Sequence, residues 1–226
     1  MSQRPRIHIY ISPAAEVGYT QYGPTIGIAG TITAVDHAAL VDNICVVLSK
    51  GKKDEPRFLD WFAFRPPHIV MGVSTEIDFR PPAKFTIAPD QAHPCNVLFA
   101  DNVRYSEMNP VIKAVKGEWE KAKTRAARVA GPDFNDQSLF AEFSKLKLVA
   151  DAAGYFKKMS YWEEGSYNIR FKVTTENPKQ IFDIPASFAM TSEDADQLSG
   201  NAVVIIADLC KQPHPGYHCA TPSLAH

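Results

Sequence analysis

Two stretches of alternating apolar and polar residues place the strongest constraint on the fold of this chain. The first covers residues 69–79, with one face formed by Ile69, Met71, Val73, Thr75, Ile77 and Phe79. The second covers residues 167–174, with one face formed by Tyr167, Ile169, Phe171 and Val173. Successive side chains of a β-strand point to opposite faces of the sheet, so both stretches predict strands with one buried face.

Other apolar segments separated by turn residues extend the strand prediction along the chain. They cover residues 7–12, 26–34, 41–49, 58–64, 145–151, 182–190 and 202–209. Arg-Pro-Pro steps at 65–67 and 80–82 end two strands, because proline has no amide hydrogen to donate to a sheet. Gly30 falls in phase with buried side chains, which predicts a bulge or a close backbone approach there.

Residues 109–131 depart from this pattern and predict an amphipathic helix. Asn109 is a good N-cap, Pro110 suits the first helical position, and Gly131-Pro132 ends the helix. The apolar stripe consists of Val111, Val115, Trp119, Ala122, Ala126 and Val129. We expect a helical insertion over about residues 106–144, with a shorter helical segment near its end.

Many short strands and one long helix predict an all-β protein built as an antiparallel β-sandwich. We expect residues 1–210 to form one domain and residues 211–226 to form an irregular C-terminal tail. The alternative is two small domains, 1–105 and 106–210. We prefer one domain because the C-terminal part has too few strands to close a core alone.

The Gly165-Ser166-Tyr167 step before the second alternating stretch is similar to a Gly-x-Tyr step in many immunoglobulin-like and arrestin-like sandwiches. In those folds the tyrosine ring packs at a corner and its hydroxyl caps a backbone group. The resemblance implies an immunoglobulin-like or arrestin-like architecture. It carries no activity, because sandwiches of this kind host many unrelated functions.

Composition and charge point to a cytoplasmic protein with no membrane association. The formal charge of -1 provides no overall attraction to nucleic acid or to an anionic membrane. Residues 1–6 run into a strand-like segment instead of a secretory apolar region, and the apolar run at 202–207 is too short to span a bilayer. The irregular spacing of the four cysteines predicts reduced thiols.

The polar face of the predicted helix carries a row of cations, which makes it a candidate surface for binding a partner. The row consists of Lys113, Lys116, Lys121, Lys123, Arg125 and Arg128. Amphipathic helices often contribute to protein interfaces, whereas nucleic acid is a less favoured partner because exposed aromatic residues are not interleaved with the cations. The structural alternative is a solvated helix face.

The C-terminal tail contains four residues of the types that bind zinc, namely Cys210, His214, His218 and Cys219. Their spacing matches no standard zinc site, because His218 and Cys219 are adjacent and do not easily face one ion. An irregular tail without metal is therefore the favoured alternative.

Two weaker hypotheses concern catalysis or sugar binding. Cys95 lies close to His93, as a thiol and its base would, and Glu163-Glu164 lies beside Tyr161 and Trp162, as in some sugar-binding sites. A buried cysteine and a hairpin tip are the favoured structural alternatives.

The function predicted from these features is that of a non-enzymatic binding or assembly protein without a cofactor. Sheet edges and the basic helix would contact a protein partner or a second copy of the chain. The alternative is a ligand-binding or metal-binding protein, or an enzyme, with a site built from loop residues distant in sequence. That alternative predicts a concave polar pocket with two or more titratable groups.

Overall fold

The computed structural model describes residues 6–51, 55–64, 80–130, 135–176 and 178–226. Its strands are β1 (Arg6–Thr20), β2 (Gly23–Val35), β3 (Ala39–Lys50), β4 (Arg57–Phe64), β5 (Phe85–Ile87), β6 (Ala92–Ala100), β7 (Gly165–Glu176), β8 (Gln180–Met190) and β9 (Cys219–Ala220). Its helices are α1 (Asn102–Ala130), α2 (Asp136–Phe143), α3 (Lys147–Met159) and α4 (Ser192–Leu209). The strand predicted at 69–79 lies outside the described residues.

The described strands form a single antiparallel sheet that curls into a half-barrel. Eight of them follow the order β8-β7-β3-β4-β6-β2-β1-β9, and β5 pairs with β3 beside this path. The prediction of an all-β sandwich of immunoglobulin-like or arrestin-like architecture is wrong, because the protein is a mixed α/β structure with one curled sheet and four helices. Alternating residues show that one face of a strand is buried, but a layer of helices buries it as well as a second sheet does.

The curl of the sheet is visible in a contact between strands that are not neighbours. Phe99 of β6 and Phe171 of β7 have ring centroids 5.9 Å apart, although β3 and β4 lie between their strands. In a flat sheet, strands three places apart are separated by about 14 Å. The two rings therefore meet across the concave face.

Two segments interpreted as strands are helical. Residues 145–151 lie mostly in α3, and residues 202–209 lie in α4. Both helices bury apolar residues at three- and four-residue steps: Val149, Ala152 and Phe156 in α3, and Leu198, Ala202 and Ile205 in α4. The side chain of Thr191 accepts a hydrogen bond from the Asp194 amide and caps α4. A short apolar run fits the residue spacing of a strand or of a helix. The three- and four-residue steps along the whole of each segment identify both as helices.

The predicted long helix exists but begins earlier than Asn109. Asp101 is its N-cap, because one of its carboxylate oxygens accepts a hydrogen bond from the Arg104 amide at 3.0 Å. Asn109 and Pro110 consequently lie inside α1. The buried face of α1 consists of Met108, Ile112, Val115 and Trp119, which pack into one core with the sheet, α3 and α4.

The C-terminal segment joins β1 to β8. β9 pairs with β1, and farther along the Leu224 amide donates to the Pro13 carbonyl oxygen at 2.7 Å. Ala225 then exchanges two hydrogen bonds of 2.8 Å with Ser187 of β8. Residues 211–226, expected to form an irregular tail, therefore include a segment that bridges two distant strands of the sheet.

Gly30 lies where the backbones of β1 and β2 come very close together. A Cβ atom added at Gly30 would be 2.3 Å from the carbonyl oxygen of Tyr10. The register of β1 shifts between Ile11 and Ala15, beside this contact. The close backbone approach predicted from the sequence is confirmed.

We expect Gly30→Ala to lower the free energy of unfolding by about 1–3 kcal/mol, because the added methyl group has to displace backbone atoms. Gly117→Ala is the matched control, since an added Cβ there has nothing within 4 Å. The control should be neutral or stabilising, because alanine favours a helix more than glycine does. Urea unfolding of both variants gives the comparison, and a Gly30→Ala protein as stable as the parent would contradict the close approach.

Candidate functional site

The six cations predicted to bind a partner all lie on α1, and ion pairing divides them into two groups. Lys121 pairs with Glu118 at 2.7 Å, and Lys123 pairs with Asp136 at 3.4 Å. Within the described ranges, four have no carboxylate oxygen within 4.0 Å: Lys113, Lys116, Arg125 and Arg128. The positive charge of these four is therefore not neutralised by direct contact.

The C-terminal half of α1 and the helix α2 line an open groove of about 570 Å³, here termed the helical groove. Its apolar lining consists of Ala122, Ala126, Val129, Leu139, Phe143 and Leu146. Its charged lining consists of Arg125 and Glu142. Glu142 pairs with Lys145 at 2.7 Å, whereas Arg125 has no such carboxylate partner in the described part of the chain.

The groove forms because α1 extends beyond the core of the protein. Trp119 is buried, whereas residues 120–129 of α1 are exposed or half-buried. α2 then packs on this extension, with the Trp119 ring 5.9 Å from Phe140 and 5.1 Å from Phe143 between centroids. The pair of helices is anchored on the side of Trp119, and the described residues leave its other apolar side uncovered.

Two large apolar side chains of the groove are unusually accessible to water. Val129 is 91% exposed and Leu146 is 49% exposed. Burying such a side chain fully stabilises a structure or a complex by about 1.5–3 kcal/mol. A partner that covers both side chains therefore gains binding free energy from this patch.

The electrostatic character of this surface is positive although the whole chain is slightly negative. Six cations and two carboxylates give residues 113–129 a formal charge of +4, against -1 for the full sequence. Arg125 donates from Nε to the Lys121 carbonyl oxygen at 3.4 Å, a bond that does not use its terminal nitrogens. A hydrogen bond from Lys121 lowers the pKa of Glu118, and Arg125 contributes to the same shift. Arg125 thus lines the groove with terminal nitrogens that remain able to bind an acidic partner.

The histidines proposed as metal ligands lie near opposite ends of α4. Nε2 of His214 is 3.9 Å from Asp208, and Nε2 of His218 is 3.9 Å from Asp194. At 1.5 Å per helical residue, those two carboxylates are about 20 Å apart along the helix. Within the described ranges, no group of three or more His, Cys, Asp or Glu side chains is placed to hold a metal ion.

The cysteines do not complete a metal or nucleophile site in the described residues. Cys210 is buried at the end of α4, and Cys219 lies in β9 opposite Gly18. Burial raises the pKa of Cys210 to about 12 and that of Cys95 to about 11. The thiolate is the nucleophilic form of cysteine, so this rise in pKa disfavours nucleophilic reaction at either thiol. The structure therefore gives no support to a zinc site in the tail or to catalysis at Cys95.

The Tyr167 corner has the local geometry that the Gly-x-Tyr resemblance implies. Its hydroxyl accepts a hydrogen bond from the Glu163 amide at 2.9 Å and donates one to the Glu163 carbonyl oxygen at 3.0 Å. This arrangement fixes the segment before β7 although the fold is not a sandwich. The Glu163 carboxylate pairs with Lys50 instead of acting with Glu164 as a pair of acids.

Two groups of residues around possible sites were missed by sequence reasoning. The residues of α2 that form the second wall of the helical groove were predicted as a helical segment but not as part of a site. The sequence does not indicate a role for Arg57, which stacks on the ring of Tyr161. The sequence offers only the observation that Lys50 and Arg57 lie close together along the chain.

No protein-family model, curated protein or solved structure matches this chain. In the described part of the chain, no helix is both long enough and apolar enough to cross a membrane. Function is consequently inferred from the geometry and charge of the sites alone.

Proposed function

We propose that this protein is a non-enzymatic binding module that holds an acidic amphipathic segment of another protein in the helical groove. The observation that carries the proposal is the exposed apolar pair Val129 and Leu146 in a groove also lined by Arg125, with Arg128 next to Val129 in the sequence. Apolar patches bordered by charged residues are typical of protein interaction sites. The cations specify an acidic partner.

The chemistry of the groove favours a helical segment as the ligand. An amphipathic helix places apolar side chains at three- and four-residue steps into such a groove. Glutamate or aspartate residues beside that apolar stripe would then reach Arg125 and Arg128. Arginine binds carboxylates through two parallel hydrogen bonds, which fix the orientation of the carboxylate as well as stabilising the contact.

A second copy of the chain is a less suitable occupant of the groove. A symmetric dimer through this surface would bring two segments of formal charge +4 together. Like charges at an interface disfavour association. The edges of the sheet are also less suitable as contact surfaces, because the C-terminal segment already hydrogen-bonds to both β1 and β8.

We also propose that the protein works in the cytoplasm. Support comes from its four cysteines, all of which lie in the described residues and none of which forms a disulfide. Reduced cysteines are the normal state in that compartment.

The proposal is tested with a fluorescent helical peptide that carries leucines on one face and glutamates on both flanks. Fluorescence anisotropy should show binding that weakens as salt is added, because the attraction between the cations and the glutamates is screened. Arg125→Glu and Arg128→Glu should each weaken binding by roughly tenfold or more, which corresponds to about 1.4 kcal/mol. A peptide with lysines in place of the glutamates should not bind.

The matched control is Lys179→Glu, which reverses one exposed charge in the turn between β7 and β8. It should bind the acidic peptide as the parent does. If Lys179→Glu and Arg125→Glu lost the same peptide affinity, the effect would depend only on net charge. That result would contradict specific binding in the groove. Sedimentation of the protein alone tests the other occupant, since a dimer that Arg125→Glu strengthens would indicate self-association.

A further inference from the structure

A separate cleft of about 250 Å³ lies where β3 ends and β4 begins. β3 contributes Ser49 and Lys50, and β4 contributes Arg57. The segment before β7 contributes Tyr161 and Glu163. The cleft thus brings two cations, one carboxylate and one aromatic ring together from distant parts of the sequence.

Arg57 stacks on an aromatic ring and makes no side-chain hydrogen bond to another described residue. Its guanidinium carbon lies 4.3 Å from the centroid of the Tyr161 ring, which is the geometry of a cation–π contact. Among the described residues, Arg57 has no carboxylate oxygen within 4.0 Å. A guanidinium stacked on a ring still presents its N–H groups along its edge, so Arg57 is prepared to bind an oxyanion through two hydrogen bonds.

Lys50 supplies a second positive charge to the cleft, and Glu163 competes for it. The Lys50 ammonium contacts the Glu163 carboxylate, and their side chains are 31% and 71% exposed. The Tyr167 hydroxyl holds the backbone of Glu163, so this segment keeps its position while the exposed carboxylate remains able to rotate away.

The ring of Tyr161 lines the cleft, and its hydroxyl group is buried. That hydroxyl has no hydrogen-bond partner among the described residues. Because the hydroxyl oxygen is fully buried, it is out of reach of a ligand in the cleft, and Tyr161 contributes to the site through its ring alone.

We propose that this cleft binds the phosphate group of a small ligand. Arg57 donates two hydrogen bonds to the phosphate oxygens, and Lys50 adds a point charge after Glu163 has moved aside. The two cations outnumber the one carboxylate of the cleft, which favours an anionic ligand. A phosphate group has enough oxygens to contact Arg57 and Lys50 together, whereas a carboxylate uses both of its oxygens on Arg57. The inference does not depend on the helical groove, because the two sites share no lining residue.

The test uses inorganic phosphate as the probe and follows its phosphorus NMR line width as the full-length protein is added. The parent protein should broaden the line. Arg57→Lys keeps the charge but loses the paired donors, so its affinity for phosphate should fall about tenfold. Glu163→Gln removes the competing carboxylate and should raise the affinity several-fold.

Arg128→Ala is the matched control, because it removes one exposed arginine outside the cleft. It should leave phosphate binding unchanged while it weakens binding of the acidic peptide. Near-ultraviolet circular dichroism verifies that each variant is folded. No broadening by the parent, equal binding by Arg57→Lys, or weaker binding by Glu163→Gln would each overturn the inference. Peptide binding by Arg57→Lys should equal that of the parent, so the two proposals can fail independently.

Discussion

Replacing Trp119 with alanine is expected to lower the free energy of unfolding by about 3–5 kcal/mol and to abolish peptide binding in the helical groove. Trp119 is only 2% exposed, and its ring packs edge-on against Phe140 and Phe143 of α2. Its removal leaves a cavity at the place where α2 rests on α1. α2 forms one wall of the groove. Displacing α2 from α1 therefore removes the binding site as well as lowering stability.

Trp119→Phe is the conservative companion of this variant. A phenyl ring fills part of the volume and keeps an aromatic contact with α2, so both losses should be smaller. Urea unfolding measures the stability of the two proteins, and anisotropy of the acidic peptide measures the groove. If Trp119→Ala remained folded with unchanged peptide affinity, the groove would not depend on the packing of α2 against Trp119.

Replacing Trp162 with alanine should also cost about 3–5 kcal/mol in unfolding free energy, for a different reason. Trp162 is 3% exposed and packs near Tyr167 and Phe188, at centroid distances of 5.5 Å and 6.5 Å. Its Nε1–H donates to the Gly18 carbonyl oxygen of β1 at 2.9 Å. The side chain therefore connects β1 with β7 and β8, which are far apart in the order of the sheet.

Trp162→Phe separates the hydrogen bond from the packing. It keeps an aromatic ring but leaves the Gly18 carbonyl group without this donor, which should cost about 1–3 kcal/mol. Thermal or urea unfolding provides the measurement, with the acidic peptide as a second readout. Because Trp162 does not line the helical groove, folded Trp162→Phe should bind the peptide normally. A loss of stability no larger than that of an exposed substitution would contradict the described connection between β1 and β7.

The strands were predictable where one face is buried and the other meets water. Alternation identified β7 and β8 almost at their observed limits, and Gly30 marked the close approach of β1 and β2. The same pattern contains no information about what covers the buried face, so it does not distinguish a layer of helices from a second sheet. α4 is not evident from the sequence, because its apolar run at 202–207 fits the spacing of a strand as well as that of a helix.

The candidate sites were predictable only in part. The cations of α1 follow from helical spacing along one segment, so their common surface was evident from the sequence. The second wall of the groove requires α2 to turn back onto Trp119, which is a tertiary contact. The stacking of Arg57 on Tyr161 joins residues from distant segments, and no local pattern indicates such a pair.

The location of the bound peptide is the most direct test of the proposed function. Protein labelled with carbon-13 at its alanine methyl groups provides probes inside the helical groove, at Ala122 and Ala126, and in the core elsewhere, at Ala186 and Ala202. Titration with the acidic peptide should shift the resonances of the two groove alanines and leave those of the two core alanines unchanged. Binding that shifts only the resonances of alanines outside the groove would contradict the proposal that this protein recognises its partner through α1 and α2.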